Sequence, residues 1–371
     1  MSKSINVLGI DSHGRFLTCV LSQLHGSTST PVTQLFTNPA LRDEFNKLGN
    51  EMVYTNLANK SDYFRFTANA NAVLLDEQNV TPRSNSQLHS VIITPNALQN
   101  AYTLNKYKQY ITPRTTLVFV NPFYKKIHNV VNKVWPEEST RPYVFQALST
   151  HGLKPVNKFD VEQFTMGDFK ISACPVSGGF SEFLVGQEQT FSDEEELPEV
   201  VCDLIQSPIL KATYHPFKDL LVYQLEKLVV DSCLTPLRVL MLGGEKGSLK
   251  SEHLEHLVLA HLKEVLGVLK RTSTYKKLSI LNPAVRSVLG LERMFDTICN
   301  LAVEMYNDGG KADAFDYHSF LEICNSSTGF ISVEGKKVKL ETPMTDAMLA
   351  IVRAKCDTFN ENGSDEIPFV R

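Results

Sequence analysis

The sequence predicts an α/β N-terminal domain of alternating strands and helices, followed by an all-helical C-terminal domain. Three observations carry this. Short apolar runs of strand length recur through the first half, separated by polar stretches with a helical period. A glycine-containing turn joins the first of these runs to a helix-like segment, which is the opening of a βαβ unit. Beyond about residue 205 the apolar residues fall at three-to-four spacing only.

Taken in order, Ser4-Ile5-Asn6-Val7-Leu8-Gly9 reads as a short buried strand. A tight turn through Asp11 and Gly14 leads into a helix over residues 15–21, with Phe16, Leu17 and Val20 on its apolar side. Further strands are expected at residues 90–94 and 116–121, with a helical period over 101–110 between them. Such alternation implies a mostly parallel sheet. Residues 159–185 are less regular and are expected to supply antiparallel edge strands. The acidic, proline-containing segment 192–199 reads as a solvated loop.

Helices follow over residues 220–233, 252–270, 294–306 and 344–355. In the second of these, Leu254, Leu257, Val258, Leu262, Val265, Leu266 and Leu269 form the apolar stripe. The expected division is 1–205 for the α/β domain and 206–371 for the helical one. No repeat or low-complexity tract interrupts either.

Composition narrows the functional classes. Apolar residues make up 43% and charged residues 21% of the 371, as in an ordinary globular protein. The net charge of −4 excludes a chain that is basic throughout, so polyanion binding would need a local patch. The seven cysteines are dispersed and form no Cys-x-x-Cys pair, which argues against a disulfide framework or a zinc site. No run reaches the roughly 18 apolar residues that span a bilayer. With no signal peptide or presequence legible, sequence alone points to the cytosol.

The turn after the first strand carries the most chemistry. Gly9-x-Asp11-x-x-Gly14 stands where a Rossmann-like dinucleotide fold has Gly-x-Gly-x-x-Gly. The first glycine makes the turn, the third lets helix and strand approach, and the middle one admits the pyrophosphate. An aspartate in the middle position fills that space and repels the phosphate. At an effective dielectric of about 20, one such contact near 4 Å costs on the order of 4 kcal/mol, or about three decades of affinity. Asp11 could equally cap its own helix. The expectation is a degenerate loop at Gly9, Asp11 and Gly14 that has lost its cofactor, NADP being the nucleotide the context would admit.

Two other constellations deserve weighing. Lys227 and Asp231 sit four apart on one helix face, either as a surface ion pair or as a held catalytic lysine. Tyr102, Lys106, Tyr107, Lys108, Tyr110 and Arg114, then Phe123, Tyr124, Lys125 and Lys126, interleave cations with aromatics. Such mixtures can stack bases and pair phosphates, or simply solvate a helix face. His253 and His256 lack partners at metal spacing, so no metal is expected. Gly243-Gly244-Glu245-Lys246-Gly247-Ser248 lacks phosphate-loop spacing and reads as an inter-helix turn.

In this order, these segments resemble the ketopantoate reductase family. Val7-Leu8-Gly9 to Gly14 looks like its cofactor loop. Ile92-Ile93-Thr94-Pro95-Asn96 has Asn96 where the family has a lysine. Leu117-Val118-Phe119-Val120-Asn121-Pro122 keeps the family's asparagine as Asn121 and replaces its glycine with Pro122. Lys227 matches the catalytic lysine, and Asp231 replaces an asparagine; Thr328-Gly329-Phe330 and Thr342-Pro343 resemble the end of the fold. Glu322 is the counterpart considered for a late acidic residue. The resemblance implies a Rossmann-like domain followed by a helical domain of the kind found in ketopantoate reductase and 6-phosphogluconate dehydrogenase. It also implies NADPH-dependent reduction of a 2-keto acid, with the lysine as acid. Losing one proton-transfer residue typically costs a factor of about 10²–10⁴, so Lys227, Asn121 and Asp231 are expected to be vestigial.

Leu117 to Pro122, Arg141-Pro142-Tyr143-Val144-Phe145, and Leu225-Glu226-Lys227-Leu228 with Ser232-Cys233-Leu234-Thr235-Pro236-Leu237 are similar to a second family, the yeast mitochondrial translational activators of cytochrome b messenger RNA. That resemblance implies a non-catalytic protein on the matrix side of the inner mitochondrial membrane, peripherally associated with it. Its implied partners are the messenger's 5′ leader and the mitochondrial ribosome. The competing expectation is a working NADPH-dependent 2-dehydropantoate 2-reductase.

Overall fold

The structure is a computed structural model. It describes residues 4–26, 32–58, 63–74, 87–94, 101–123, 126–175, 197–241, 252–307 and 317–361. The chain divides into two compact units, 1–220 and 221–371. The division falls within a long helix rather than near residue 205.

In the first unit the strands are β1 (Ile5–Leu8), β2 (Val32–Phe36), β3 (Glu51–Asn56), β4 (Phe64–Asn69), β5 (Asn71–Leu74), β6 (Ser90–Ile93), β7 (Thr116–Val120), β8 (Tyr143–Ser149), β9 (Gly152–Pro155), β10 (Val161–Thr165), β11 (Phe169–Ala173) and β12 (Ala212–Tyr214). Helices α1 (Ser12–His25), α2 (Pro39–Lys47), α3 (Ala101–Tyr107), α4 (Lys126–Val134) and α5 (Glu199–Gln206) connect them.

Eight strands form one sheet in the order β12-β11-β8-β7-β6-β1-β2-β5. The run β5-β2-β1-β6-β7-β8 is parallel throughout and has the 3-2-1-4-5-6 order of dinucleotide folds. β1, β2, β6 and β7 are buried at every position, as befits a parallel sheet covered on both faces. β11 pairs antiparallel with β8. It is not an edge strand, because β12 adds beside it in parallel.

A second sheet, β4-β3-β10-β9, lies over α1. Phe16 shows why: its ring meets Tyr54 of β3 at 5.3 Å and His151 at 5.2 Å. Residues 16–21 of α1 are all buried, because the helix is walled by a sheet on each side. His151, itself 5% exposed, links the layers. Its Nδ1 accepts from Gln163 Nε2 (2.8 Å) and Gly167 N (3.1 Å), and its Nε2 donates to the Leu210 carbonyl (3.0 Å). Burial lowers its pKa, and both donors to Nδ1 require the neutral ring.

The second unit is helical. Helix α6 (Phe217–Met241) leads into it, followed by α7 (Glu252–Arg271), α8 (Ser273–Leu281), α9 (Ala284–Val288), α10 (Leu291–Asn307), α11 (Tyr317–Ser326), α12 (Thr328–Lys337) and α13 (Pro343–Glu361). α7 packs on α10, α12 and α13, and α11, α12 and α13 pack on one another. Glu264 of α7 caps α13 by accepting from the backbone N–H of Met344 (3.0 Å) and Thr345 (2.8 Å).

Helix α6 continues through Pro236. Proline has no N–H for the carbonyl four residues earlier, that of Ser232. Thr328 Oγ1, at the start of α12, donates to that carbonyl at 3.0 Å.

Candidate functional site

The crevice where dinucleotide folds hold their ligand lies at the carboxyl ends of the strands, where the strand order reverses. Here that is the gap between β1 and β6. Gly9 leaves β1 with φ 117°, a conformation that only glycine adopts at little cost. Gly14 is equally fixed, since a Cβ there would stand 2.2 Å from the Gly9 carbonyl oxygen. Both outer glycines are thus required by the backbone itself, whatever the loop binds.

Asp11 does what the missing middle glycine did not. It is the N-cap of α1 in extended conformation, and its Oδ1 accepts from Gly14 N at 2.9 Å. Its Oδ2 accepts from Thr94 Oγ1 at 2.6 Å. Thr94 follows β6 directly and donates its N–H to the Leu8 carbonyl at 3.0 Å. One carboxylate therefore bridges the crevice and supplies the negative charge that the helix terminus favours. The Asp11 carboxylate thus takes an N-cap donor that a phosphate at this helix terminus would use.

Arg15 holds the loop from behind. Its Nε donates to the Ile10 carbonyl (2.8 Å), and Nη1 donates to the carbonyls of Asn157 (2.7 Å) and Asp160 (3.2 Å). Burial lowers its pKa, while Asp11 and Asp160 oppose that shift. Gln34 adds a further brace, donating to the carbonyls of Val7 (3.0 Å) and Gly9 (2.8 Å). Sequence reading missed both braces, whose partners are backbone atoms brought together by folding.

Asn121 lies beside this loop, just past β7. It is held at φ 46°, in the left-handed region that asparagine tolerates better than most residues. Its Nδ2 donates to His13 Nε2 (3.1 Å) and to the Ser149 carbonyl (3.3 Å), and its Oδ1 accepts from Ser149 N at 2.8 Å. The structure thus gathers Gly9, Asp11, Gly14 and Asn121 at the carboxyl end of the sheet, with Asp11 held by Gly14 and Thr94, and Asn121 by His13 and Ser149.

The adenosine end is equally altered. Dinucleotide folds place an acidic residue, or an arginine for a 2′-phosphate, at the end of the second strand. Here β2 ends in Phe36 and is followed by Thr37 and Asn38. Asn38 caps α2 by accepting from Ala40 N (2.9 Å), and Arg42 pairs with Asp43 (2.5 Å).

In the second unit Lys227 Nζ and Asp231 Oδ2 are 2.6 Å apart along α6. Both side chains are partly exposed, so the pair is worth a few tenths of a kcal/mol. Glu226 beside them pairs with Arg293 (2.6 Å). Glu322 lies on α11, and Thr328-Gly329-Phe330 opens α12. Asn96, the acidic loop at 192–196 and the Gly243 to Ser248 segment lie outside the described residues.

Two of the interleaved tyrosines are not free to stack a base. Tyr107 and Tyr110 are only 2% and 6% exposed, because their rings fill the core beneath α3 while Lys106 and Lys108 point outward. Tyr124 and Lys125 lie outside the described residues. None of the seven cysteines is in a disulfide. Among the described residues no cluster of three metal-ligating side chains occurs, and no helix is long and apolar enough to cross a membrane.

Comparison with known proteins agrees with this fold. The family model described as "Ketopantoate reductase PanE/ApbA" matches residues 5–175. A probable 2-dehydropantoate 2-reductase of Schizosaccharomyces pombe is 28% identical over 229 residues, covering 59% of this chain. That match spans 61% of the fission yeast protein's length, less than two thirds. The cytochrome B translational activator CBS2 of Saccharomyces cerevisiae is 22% identical over 380 residues, covering 94% of each chain. Among solved structures, the ternary structure of D-mandelate dehydrogenase with NADH and anilino(oxo)acetate superposes with a TM-score of 0.68 at 16% identity, over 96% of this chain and 99% of that one. At that identity the likeness concerns the fold alone. Residues 5–175 are therefore a ketopantoate reductase PanE/ApbA domain, set in a chain with the ketopantoate reductase-like fold.

Proposed function

We propose that this protein is a non-catalytic translational activator of cytochrome b messenger RNA. In this reading it acts on the matrix side of the inner mitochondrial membrane, through the messenger's 5′ leader and the mitochondrial ribosome. The observation that carries it is the Asp11 carboxylate in the phosphate position, bonded to Gly14 N and Thr94 Oγ1. A fold that keeps the glycines its backbone needs and fills the one its ligand needs has been released from nucleotide chemistry. The similarity to CBS2 runs the length of both chains and supports the same reading.

A second reading is an NADPH-dependent 2-dehydropantoate 2-reductase. The higher identity to the fission yeast reductase and the presence of Lys227 and Asn121 favour it. NADPH binding to the purified protein, followed by calorimetry beside an Asp11→Gly variant, separates the two. The activator reading expects no binding by the natural protein and recovery in the glycine variant. Micromolar binding by the natural protein, with turnover of a 2-keto acid that Lys227→Ala abolishes, would overturn it. Crosslinking in mitochondria then tests the positive claim, which requires enrichment of the cytochrome b leader.

A further inference from the structure

We infer that the ends of α7 and α12 and the start of α8 form the phosphate-binding surface of this protein, and that it takes an RNA backbone. The inference rests on the activator reading above and gives that reading a location.

Lys263, Gly267, Lys270 and Arg271 share one face of α7 by their spacing. That face is where the chain after α12 comes in: a Cβ at Gly267 would lie 3.3 Å from Leu340 Cδ2, and one at Gly335 3.4 Å from Val268 Cγ2. Lys336, Lys337 and Lys339 are thereby brought beside Lys263, Lys270 and Arg271. Lys276 and Lys277 continue the surface on α8, which follows α7 after a single cap residue, Thr272. Segments 263–277 and 334–341 contain eight cations and three carboxylates (Glu264, Glu334, Glu341), a net +5 in a chain whose total is −4.

Two of those carboxylates are already engaged. Glu264 caps α13, and Glu334 pairs with Lys337 at 2.7 Å. Among the described residues no carboxylate pairs with Lys263, Lys270, Arg271, Lys276, Lys336 or Lys339, and all six are exposed.

The ordinary explanation covers only part of this set. Cations in a last turn complement the helix dipole, which accounts for Lys270, Arg271, Lys336 and Lys337. Lys276 and Lys277 lie in the middle of α8, where the dipole gives them no support. Lys339 stands at φ 56°, in the left-handed position closing α12, with Leu340 N bonded to the Gly335 carbonyl at 2.9 Å. Glycine is the favoured residue there. Lys339 thus weakens the fold locally, and the dipole accounts for neither it nor the α8 lysines, so their charge has a use elsewhere.

The contact suits a polyphosphate backbone better than a lipid surface. Ile280 and Leu281 are exposed at the end of α8, but Tyr275 and Leu278 are buried, so that helix has no free apolar face to insert. No exposed aromatic accompanies the cations on these segments, so the surface holds phosphates without reading bases.

The test is a filter-binding salt titration with the cytochrome b leader RNA, an unrelated hairpin RNA of equal length, and vesicles containing one-fifth cardiolipin. Three variants of the full chain are compared with the natural protein: Lys263→Glu/Lys270→Glu/Lys276→Glu/Lys339→Glu, its glutamine counterpart, and Lys339→Gly. Natural protein should bind both RNAs. The quadruple variants should lower the slope of log affinity against log salt by about three, at roughly 0.7–0.9 per phosphate contact, and weaken binding at least tenfold at physiological salt. Lys339→Gly should melt higher than the natural protein while binding RNA less tightly, a divergence that no purely structural role produces. RNA binding that survives the quadruple variants but is lost in Lys106→Glu/Lys108→Glu/Arg114→Glu would overturn this placement and leave the activator reading standing. Binding to the vesicles but to neither RNA would overturn both.

Discussion

The carbonyl freed by Pro236 is the most exacting test of the helical unit. Thr328 is fully buried, and its hydroxyl stands 3.0 Å from the Ser232 oxygen. Thr328→Val keeps the volume and removes the donor. A buried carbonyl left unsatisfied costs about 1–3 kcal/mol. At about 2 kcal/mol the melting midpoint of a domain of this size falls by roughly 4–8 °C. Pro236→Ala restores the N–H that α6 lacks, so the same Thr328→Val change made in that background should cost less than about 1 kcal/mol. The coupling energy between the two positions should then be about 1 kcal/mol or more. Urea unfolding of the four proteins, followed by circular dichroism at 222 nm, measures it. An equal cost in both backgrounds would refute the reasoning.

Other consequences are open to similar tests. His261 on α7 is 1% exposed, and burial lowers its pKa from 6.5 to about 4. The folded state holds the neutral ring, so this contribution is complete above pH 6.5 and is lost as pH falls from 6.5 towards 4. It amounts to about 3 kcal/mol in all, and His261→Leu should flatten that part of the stability profile in urea titrations. Asp11→Gly costs a few tenths of a kcal/mol at the cap and about 1 kcal/mol through the lost bond from Thr94, so thermal melting should show a less stable protein even where NADPH binding is recovered. Gly14→Ala places a methyl 2.2 Å from the Gly9 carbonyl oxygen and should cost about 1–3 kcal/mol, read as a lower urea midpoint by Trp135 fluorescence. Lys227→Ala should move stability by no more than about 0.5 kcal/mol; a loss of several kcal/mol would show that the pair carries more than its exposure allows.

The parts of the fold legible in the sequence are those whose cause is local. β1, β6 and β7 read as strands because strands buried on both faces are unbroken apolar runs. The stripe of α7 read as a helix for the same kind of reason. The second sheet did not, since its inner faces carry Asn56 and Gln163 among the apolar residues and β3 pairs with β10, more than a hundred residues away. Helix α6 was expected to end near Cys233. It continues to Met241 because the partner of the freed carbonyl comes from Thr328, which no local pattern reveals. At the site, the conflict between Asp11 and a phosphate was legible from residue type alone, and so was its capacity to cap. Its second partner, Thr94, was not, because the two meet only across the switch in strand order. The tyrosines near residue 107 misled because lysines flank them in sequence while their rings face the core.

The pairing of β3 with β10 also constrains how the protein is made. The hairpin of β3 and β4 leaves the ribosome about a hundred residues before the strand that completes its sheet, and β1 waits some eighty residues for β6. Contacts so distant in sequence form slowly. Until residue 165 has emerged, the part of α1 that β9 and β10 cover stays open and the β3–β4 hairpin lacks its neighbouring strand. The nascent chain is then a natural client for a holding chaperone. Deleting β9 and β10 should leave the first 150 residues bound to that chaperone, even though all six parallel strands are already complete.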